Sequence, residues 1–445
     1  MRMVENAERR YDVVIIGAGV TGAALLHVLA KYTDIPRVAV LEKYGRVAEV
    51  SSHASHNSQT LHFGDIETNY TLEKAALVKD AAEMVVRYVD GLSESDGIFR
   101  RLQKMVLGVG DKEVASLRAR FEEFKGLFPE TRLLGPSELR ELEPKTVEGR
   151  DPAVPVAAIY NPRGFAVDFG KLAESFVREA RRARPEGYDL FHETSVRGIV
   201  RRDGKFFVST DKGAFIADAV VVAAGAYSLR MAHSMGLGRD LTLLPVAGDF
   251  FTAPNMLRGK VYTVQEKKLP FAAVHADPEV GSRDVMRLGP VALAVPLLEP
   301  RRWRSMIDFF RIFRLDGDTI ATVMKVNAEP VVARFIARHV TYYLPFVGKR
   351  LFMREARKII PTLRAPDVTF GKDLGGIRPQ VANKKTRSLQ LGEAKIVDEG
   401  IIFNITPSPG ASVCLKNAED DVRRLIGFLG GRYRLDENAL RRDLK

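Results

Sequence analysis

The stretch that most constrains this chain is Tyr11 to Glu42, YDVVIIGAGVTGAALLHVLAKYTDIPRVAVLE. A short apolar, β-branched run, Val13 to Ile16, predicts a buried strand. Gly17-Ala18-Gly19-Val20-Thr21-Gly22 follows and matches G-x-G-x-x-G. A helix is expected over Ala23 to Lys31, then a second apolar strand, Val38 to Leu41, ending on Glu42. Each part has a physical task. Gly17 permits the tight turn, Gly19 lets the backbone approach a pyrophosphate, and Gly22 lets helix and strand pack. The unpaired N–H groups at the helix start face the phosphate charge. Glu42, twenty residues after Gly22, is placed to accept hydrogen bonds from a ribose diol. A glycine motif alone is weak evidence; strand, glycines, helix, strand and acid in this order predict a dinucleotide site. NAD and FAD share the ADP half, so the stretch does not separate them. An acid at position 42 argues only against a 2′-phosphate.

The chain has 445 residues, 46% hydrophobic and 28% charged, which describes a globular protein with two or three domains' worth of core. Its net charge of +12 fits either an Arg-rich solvated surface or attraction to lipid, nucleic acid or an acidic metabolite. The single cysteine, Cys414, excludes an intrachain disulfide and a zinc site built on several thiolates, and no metal is expected. The segment MRMVENAERR lacks the apolar core of a secretory signal. No run is long and apolar enough to predict a membrane-spanning helix.

Ser51 to Asn69, SSHASHNSQTLHFGDIETN, is expected to be a functional loop too polar for core. Leu72 to Asp90 predicts an amphipathic helix, with Ala76, Val78, Ala82, Val85, Val86 and Val89 as its apolar face. Val106 to Val109 predicts a strand and Asp111 to Phe128 a charged helix. A capped helix is expected to start at Pro136, with Pro144 near its end. Ala157 to Asp168 predicts a strand and a turn at Asn161-Pro162-Arg163-Gly164, and Phe169 to Arg184 another helix. Ile199 to Ala226 alternates between turn signals and predicts a β-meander. It feeds Ala219 to Val222, a buried strand whose glycine turn returns to the central sheet. Strands are expected over Leu243 to Pro296, Gly375 to Val381, Leu389 to Leu391 and Ile401 to Ile405. A loop at Thr406 to Gly410 and a final helix at Ala411 to Leu429 close the chain.

The string HNSQTLHFGDIETNYTLEKA, from His56 to Ala75, resembles malate:quinone oxidoreductases and, more broadly, the FAD-linked D-amino-acid-oxidase-like superfamily, which includes 2-hydroxyglutarate oxidases. GAGVTG, Glu42, VVVAAGAYS at Val220 to Ser228, GGIRPQ at Gly375 to Gln380 and TPSPGAS at Thr406 to Ser412 extend the resemblance over most of the chain. The resemblance implies an α/β fold: a discontinuous FAD-binding Rossmann-like domain (10–95, 156–242, 372–432) with a β-sheet substrate domain of the D-amino-acid-oxidase type (96–155, 243–371). It implies that Gly17, Gly19, Gly22 and Glu42 bind the ADP moiety of FAD. Asn57, Ser58, Gln59 and Thr60 would lie near the pyrophosphate, ribityl chain or flavin ring. Ala224 and Gly225 would pack on the adenine side, and Pro409, Gly410 and Ala411 would close over the flavin. His62, His275 and Arg378 would face substrate.

The implied reaction, within the tricarboxylic acid cycle, oxidises (S)-malate to oxaloacetate and passes electrons to a quinone. The base must sit near the hydroxyl, and histidine suits this because its ordinary pKa, about 6.5, lies near working pH. His275, alternating with apolar neighbours, and His62, ending the polar loop, are equal candidates. Asp65, Glu67 or Asn69 could orient His62 or simply be solvated. A carboxylate calls for an Arg fork; Arg378 is the first candidate and Arg287 the second. L-2-hydroxyglutarate dehydrogenation, amino-acid oxidation and a nicotinamide-linked reaction remain open. A noncatalytic lipid- or nucleic-acid-binding protein would not need the ordered glycine turns. Arg301 to Lys358 departs from the family pattern and interleaves Arg with aromatics; Pro300 to Arg314 reads either as a core helix or as a peripheral membrane contact. With a quinone as acceptor, the second reading places the protein on the cytoplasmic membrane face.

Overall fold

The computed structural model describes residues 9–266, 269, 273–390, 394–405 and 409–445. Among them are strands β1 (Arg9–Ile16), β2 (Val38–Leu41), β3 (Phe99–Val109), β4 (Arg132–Leu134), β5 (Val156–Val167), β6 (Tyr188–Phe191), β7 (Val196–Arg202), β8 (Lys205–Thr210), β9 (Gly213–Val222), β10 (Leu241–Pro254), β11 (Lys260–Thr263), β12 (His275–Pro278), β13 (Val285–Ala294), β14 (Thr369–Asn383), β15 (Ser388–Leu389), β16 (Ala394–Asp398) and β17 (Ile401–Ile405). The helices are α1 (Val20–Tyr32), α2 (Leu72–Asp90), α3 (Asp111–Phe124), α4 (Pro136–Leu142), α5 (Phe169–Ala183), α6 (Tyr227–Ser234), α7 (Ser305–Phe313), α8 (Gly317–Ala328), α9 (Pro330–Thr341), α10 (Gly348–Ile359), α11 (Cys414–Phe428) and α12 (Glu437–Leu444).

Two sheets carry the structure. The first runs β16-β17-β9-β1-β2-β6, with β7 and β8 continuing from β9. Its centre is parallel, Val13 lying opposite both Val38 and Ala219, and Ile401 opposite Val220. Strands buried on both faces need continuous apolar runs, which Val13–Ile16 and Ala219–Val222 supply with every residue buried. Helix α1 is buried almost all round because it packs against α5 and α11 as well as the sheet. The second sheet runs β15-β14-β10-β13-β12-β11-β3-β5-β4 and is largely antiparallel. β5 and β14 hydrogen-bond in this second sheet, whereas the ranges 156–242 and 372–432 group them with the first.

Several expectations shift. Helix α1 begins at Val20, because extended Gly19 serves as its N-cap. β5 runs unbroken through Asn161-Pro162-Arg163-Gly164; the irregularity falls on its partner β3, between Leu102 and Lys104. Helix α3 stops at Phe124, and α11 starts at Cys414. A further helix, α12, follows the expected last one, capped by Asp436 accepting from Ala439 N at 2.9 Å and docked through Leu440 and Leu444. Residues 391 and 406–408, from the expected strand and closing loop, lie outside the described residues, as does most of MRMVENAERR.

Ser51–Asn69 is not the exposed loop its polarity suggests. From Ser58 to Thr68 it is almost wholly buried between the two sheets. Its polar groups are satisfied there from other elements: Lys104 pairs with Asp65 at 2.8 Å, Asn161 donates to Asp65 at 2.6 Å, and Lys260 donates to Thr60 at 2.8 Å. A β-bridge from Thr60 to Ala166 ties the segment to β5.

Candidate active site

A cavity of about 420 Å³ opens at the C-terminal ends of β1, β2 and β9 and runs between the sheets. In a parallel sheet this crevice is the expected place for a dinucleotide. Gly17 has φ of +103°, and a Cβ there would lie 2.6 Å from the Ala223 carbonyl oxygen. The β1 and β9 turns therefore touch backbone to backbone, which only glycine permits. Gly22 does not line the cavity; it packs α1 on the Gly17 turn. Helix α1 has no acid in its first turn, so its positive end is open to an anion, with Ser52 Oγ accepting from Val20 N at 3.0 Å beside it. Glu42 accepts from Ala18 N at 2.8 Å and Tyr44 N at 2.9 Å, which fixes the glycine turn. A carboxylate has about four acceptor sites, so Glu42 retains capacity for a ribose. An open helix end, a glycine turn and an acid with acceptor capacity to spare fit FAD.

Asn57, Ser58, Thr60, Ala224, Gly225, Pro409, Gly410 and Ala411 line the same cavity. Gln59 does not. Its amide is drawn outward, donating to Ala54 O at 3.3 Å and accepting from Val280 N at 3.0 Å. The loop after Ala411 is tied in by Ser412, whose Oγ accepts from His62 N at 2.9 Å.

The far end of the cavity carries charged side chains. His62 lines it, and its Nδ1 lies 2.6 Å from Glu67 Oε1. The other Glu67 oxygen accepts from Gly64 N at 2.9 Å. Arg120 clamps the loop by donating to Glu67 O at 2.7 Å, Gly64 O at 3.2 Å and Tyr70 O at 3.1 Å. Burial pushes the Glu67 carboxyl up, but the hydrogen bond and charge of His62 outweigh it and hold the group at about 2. An ionised Glu67 keeps the proton on Nδ1, so the Nε2 lone pair is free to act as base. Among the three candidates for orienting His62, Glu67 has the role, while Asp65 is spent on Lys104.

Arg378 lines the cavity as well. Gly376 brings it there: β14 crosses so close that a Cβ on Gly376 would lie 2.0 Å from His56 O. Burial lowers the Arg378 pKa, and no carboxylate pairs with it among the described residues. A part-buried guanidinium without a counter-ion is a ready site for a carboxylate.

The other two candidates are elsewhere. Arg287 is consumed in structure: it donates to Glu279 at 2.8 Å and to Ala54 O and Asn57 O, each at 2.9 Å. His275 is buried behind Tyr262, stacked on it with centroids 4.4 Å apart, and is absent from the cavity wall. Its Nδ1 sits 2.7 Å from Asp277, which also lies 3.3 Å from buried Lys260. Burial lowers the His275 pKa more than Asp277 raises it. This set braces Thr60, which takes hydrogen bonds from Lys260 and shares one with Tyr262 at 2.7 Å. Lys260 carries no sequence signal, since it opens a short strand as its one charged residue, whereas Asp277 stands two residues from His275 on β12, the spacing that puts both on one face. At the opposite end, Lys43, Tyr44, Arg230, Glu299 and Asp308 line the wall beyond Glu42. Lys43 and Tyr44 are legible in the sequence only as the continuation of the Glu42 strand.

Comparison with known proteins extends this geometry. The family model for FAD dependent oxidoreductases matches residues 12–410. A probable malate:quinone oxidoreductase of Campylobacter jejuni is 40% identical over 97% of this chain and 98% of its own length. A malate:quinone oxidoreductase of Helicobacter pylori is 39% identical over 96% of each. Among solved structures, glycine oxidase from Geobacillus kaustophilus matches with a TM-score of 0.67 and 19% identity, over 94% of this chain and 95% of that one, which shows a shared fold.

Proposed function

Because this chain belongs to the malate:quinone oxidoreductase family of FAD dependent oxidoreductases, we propose that it oxidises (S)-malate to oxaloacetate and passes the electrons to a quinone. The coarser activity, FAD-dependent oxidation of a 2-hydroxy or amino acid, is the premise. The observation that carries the finer reading is that His62, held by Glu67, and unpaired Arg378 face one cavity with the glycine turn. FAD, when bound, supplies the acceptor for the α-hydrogen and its electron pair.

The chain's own residues do the rest. Arg378 holds a carboxylate of the substrate and fixes its orientation. His62 Nε2 takes the hydroxyl proton as the C–O bond becomes a carbonyl. Glu67 keeps the ring oriented and stabilises the imidazolium that results. Ser412 fixes the His62 backbone and so joins the closing loop to the base. The two electrons then leave, with two protons, to reduce a quinone to its quinol.

A quinone resides in the bilayer, and no helix among the described residues is long and apolar enough to cross one. The reading therefore includes peripheral attachment to the cytoplasmic membrane face. What supports it is the outer face of α7 to α10, where Trp303 is 72% and Phe346 98% exposed. Anaerobic mixing of the purified protein with (S)-malate, L-2-hydroxyglutarate, L-lactate and amino acids tests the substrate. Rapid bleaching of the flavin by malate alone is expected. Faster bleaching by another acid would replace malate and leave the cofactor site standing.

A further inference from the structure

Helix α7 has two faces with different surroundings. Its inner face closes the cavity at the end beyond Glu42: Asp308 lines the wall and pairs with Arg230 at 3.3 Å. Its outer face exposes Ile307 and Phe310, with Trp303 just before the helix. Ten of the fifteen exposed large apolar side chains among the described residues fall between Trp303 and Val347. Residues 301–358 hold thirteen Lys or Arg against five Asp or Glu, eight of the chain's net +12. Apolar side chains concentrated in a basic surface match an anionic bilayer, where rings and aliphatics enter the interface and guanidinium groups meet headgroups.

Glu299 ties the start of α7 to the cavity wall. It is buried, 2% exposed, and lines the cavity. Lys43 and the Tyr44 hydroxyl both bond to it, and Arg302 lies 3.4 Å away. Lys43 and Tyr44 directly follow Glu42, so this is the cofactor side of the contact. On the helix side, Ser305 Oγ, at the first residue of α7, accepts from Leu298 N at 3.2 Å and Glu299 N at 3.3 Å. Ser305 and Asp308 thus hold α7 against the Leu298–Glu299 segment and the cavity wall.

Taking the bilayer reading above as given, we propose that Glu299 couples FAD retention to docking of α7 on an anionic bilayer. FAD inside and lipid outside favour the same placement of α7, so each strengthens the binding of the other. Such coupling is reciprocal.

The test uses the FAD-loaded protein. FAD release after dilution is followed by the rise of free-flavin fluorescence, without vesicles, with phosphatidylcholine vesicles, and with vesicles containing phosphatidylglycerol. Sedimentation with the vesicles is measured in parallel. Wild-type protein is expected to sediment with the anionic vesicles and to release FAD about tenfold more slowly on them. Glu299→Gln is expected to sediment equally but to lose most of the slowing. Tyr44→Phe, which removes one donor to Glu299, gives the same test should Glu299→Gln not fold. The Ile307→Asp, Phe310→Asp double variant is expected neither to sediment nor to respond. Sedimentation with an unchanged release rate would overturn the coupling and leave the docking face intact. Absence of sedimentation would overturn the docking reading, and the coupling with it.

Discussion

The two ends of the cavity are made of different material. The end near α1 is built from backbone: Gly17 against Ala223, an open helix terminus, and an acid that first braces its own turn. The end near β14 is built from side chains that arrive from distant parts of the chain, His62 and Glu67 on the inter-sheet segment and Arg378 on β14. A backbone site tolerates little change in shape, since a Cβ on Gly17 would already meet Ala223 O at 2.6 Å. A side-chain site can be emptied of chemistry while the cofactor stays bound. Variants should therefore separate into two classes, those that lose FAD and those that keep it and react slowly.

Arg378→Ala should have the largest effect on substrate affinity at the side-chain end. Losing a charge-assisted pair costs about 1.5–3 kcal/mol, so KM should rise on the order of tenfold to a hundredfold. FAD content, read from the flavin absorbance, should be unchanged. Arg378→Lys should recover part of the loss, because it restores charge without the planar fork. At the backbone end, Gly17→Ala should do the reverse. A positive φ and a 2.6 Å approach to Ala223 O cost about 1–3 kcal/mol or more. FAD should dissociate on the order of tenfold more readily, while protein that retains it should be reduced at a near-normal rate.

Glu67→Gln sharpens the comparison within the side-chain end. It keeps the shape but removes the charge that favours the Nδ1 proton and the imidazolium. Flavin reduction should slow by about tenfold, and the pH profile should shift, with FAD content unchanged. A smaller effect concerns the protein as a whole. Burial, aided by Lys31, lowers buried His27 to about 3, and burial with Arg338 nearby lowers His339 to about 4. Unfolded histidines protonate near 6.5, so unfolding takes up protons between these values. Stability should be full above pH 6.5 and fall on acidification toward pH 4, by up to about 1.4 kcal/mol per pH unit for each. Thermal melts of wild type and His27→Leu across this range measure it; the variant should show the shallower slope.

The same division explains what is legible in the sequence. The backbone end is local: strand, glycines, helix and Glu42 occur within 32 residues, so chain order alone reveals it. The side-chain end is not local. Sequence does not tell His62 from His275, since which one faces the cavity depends on β12 pairing with β11 and burying His275 behind Tyr262. Arg287 reads as a second carboxylate ligand because two of its three partners, Ala54 O and Asn57 O, lie more than 200 residues away. Polarity misleads at Ser58 to Thr68 for the same reason: Lys104, Asn161 and Lys260 satisfy it from other strands. Asn161-Pro162-Arg163-Gly164 reads as a turn because the compensating irregularity sits on β3. The aromatic residues of 301–358 fit a core or a surface equally well by pattern, and the structure divides them: Phe309, Tyr342 and Phe352 are buried, while Trp303, Phe310 and Phe346 are exposed.

The most direct measurement of the central claim is anaerobic, stopped-flow flavin reduction by malate across pH, with wild type, His62→Asn and His275→Asn compared at equal FAD content. The account predicts that His62→Asn slows reduction by about 10²–10⁴ and removes the acid limb of the profile. His275→Asn should keep that limb, with a rate within a few-fold of wild type. A normal rate in His62→Asn, with the limb lost in His275→Asn, would contradict the assignment of His62 as the base.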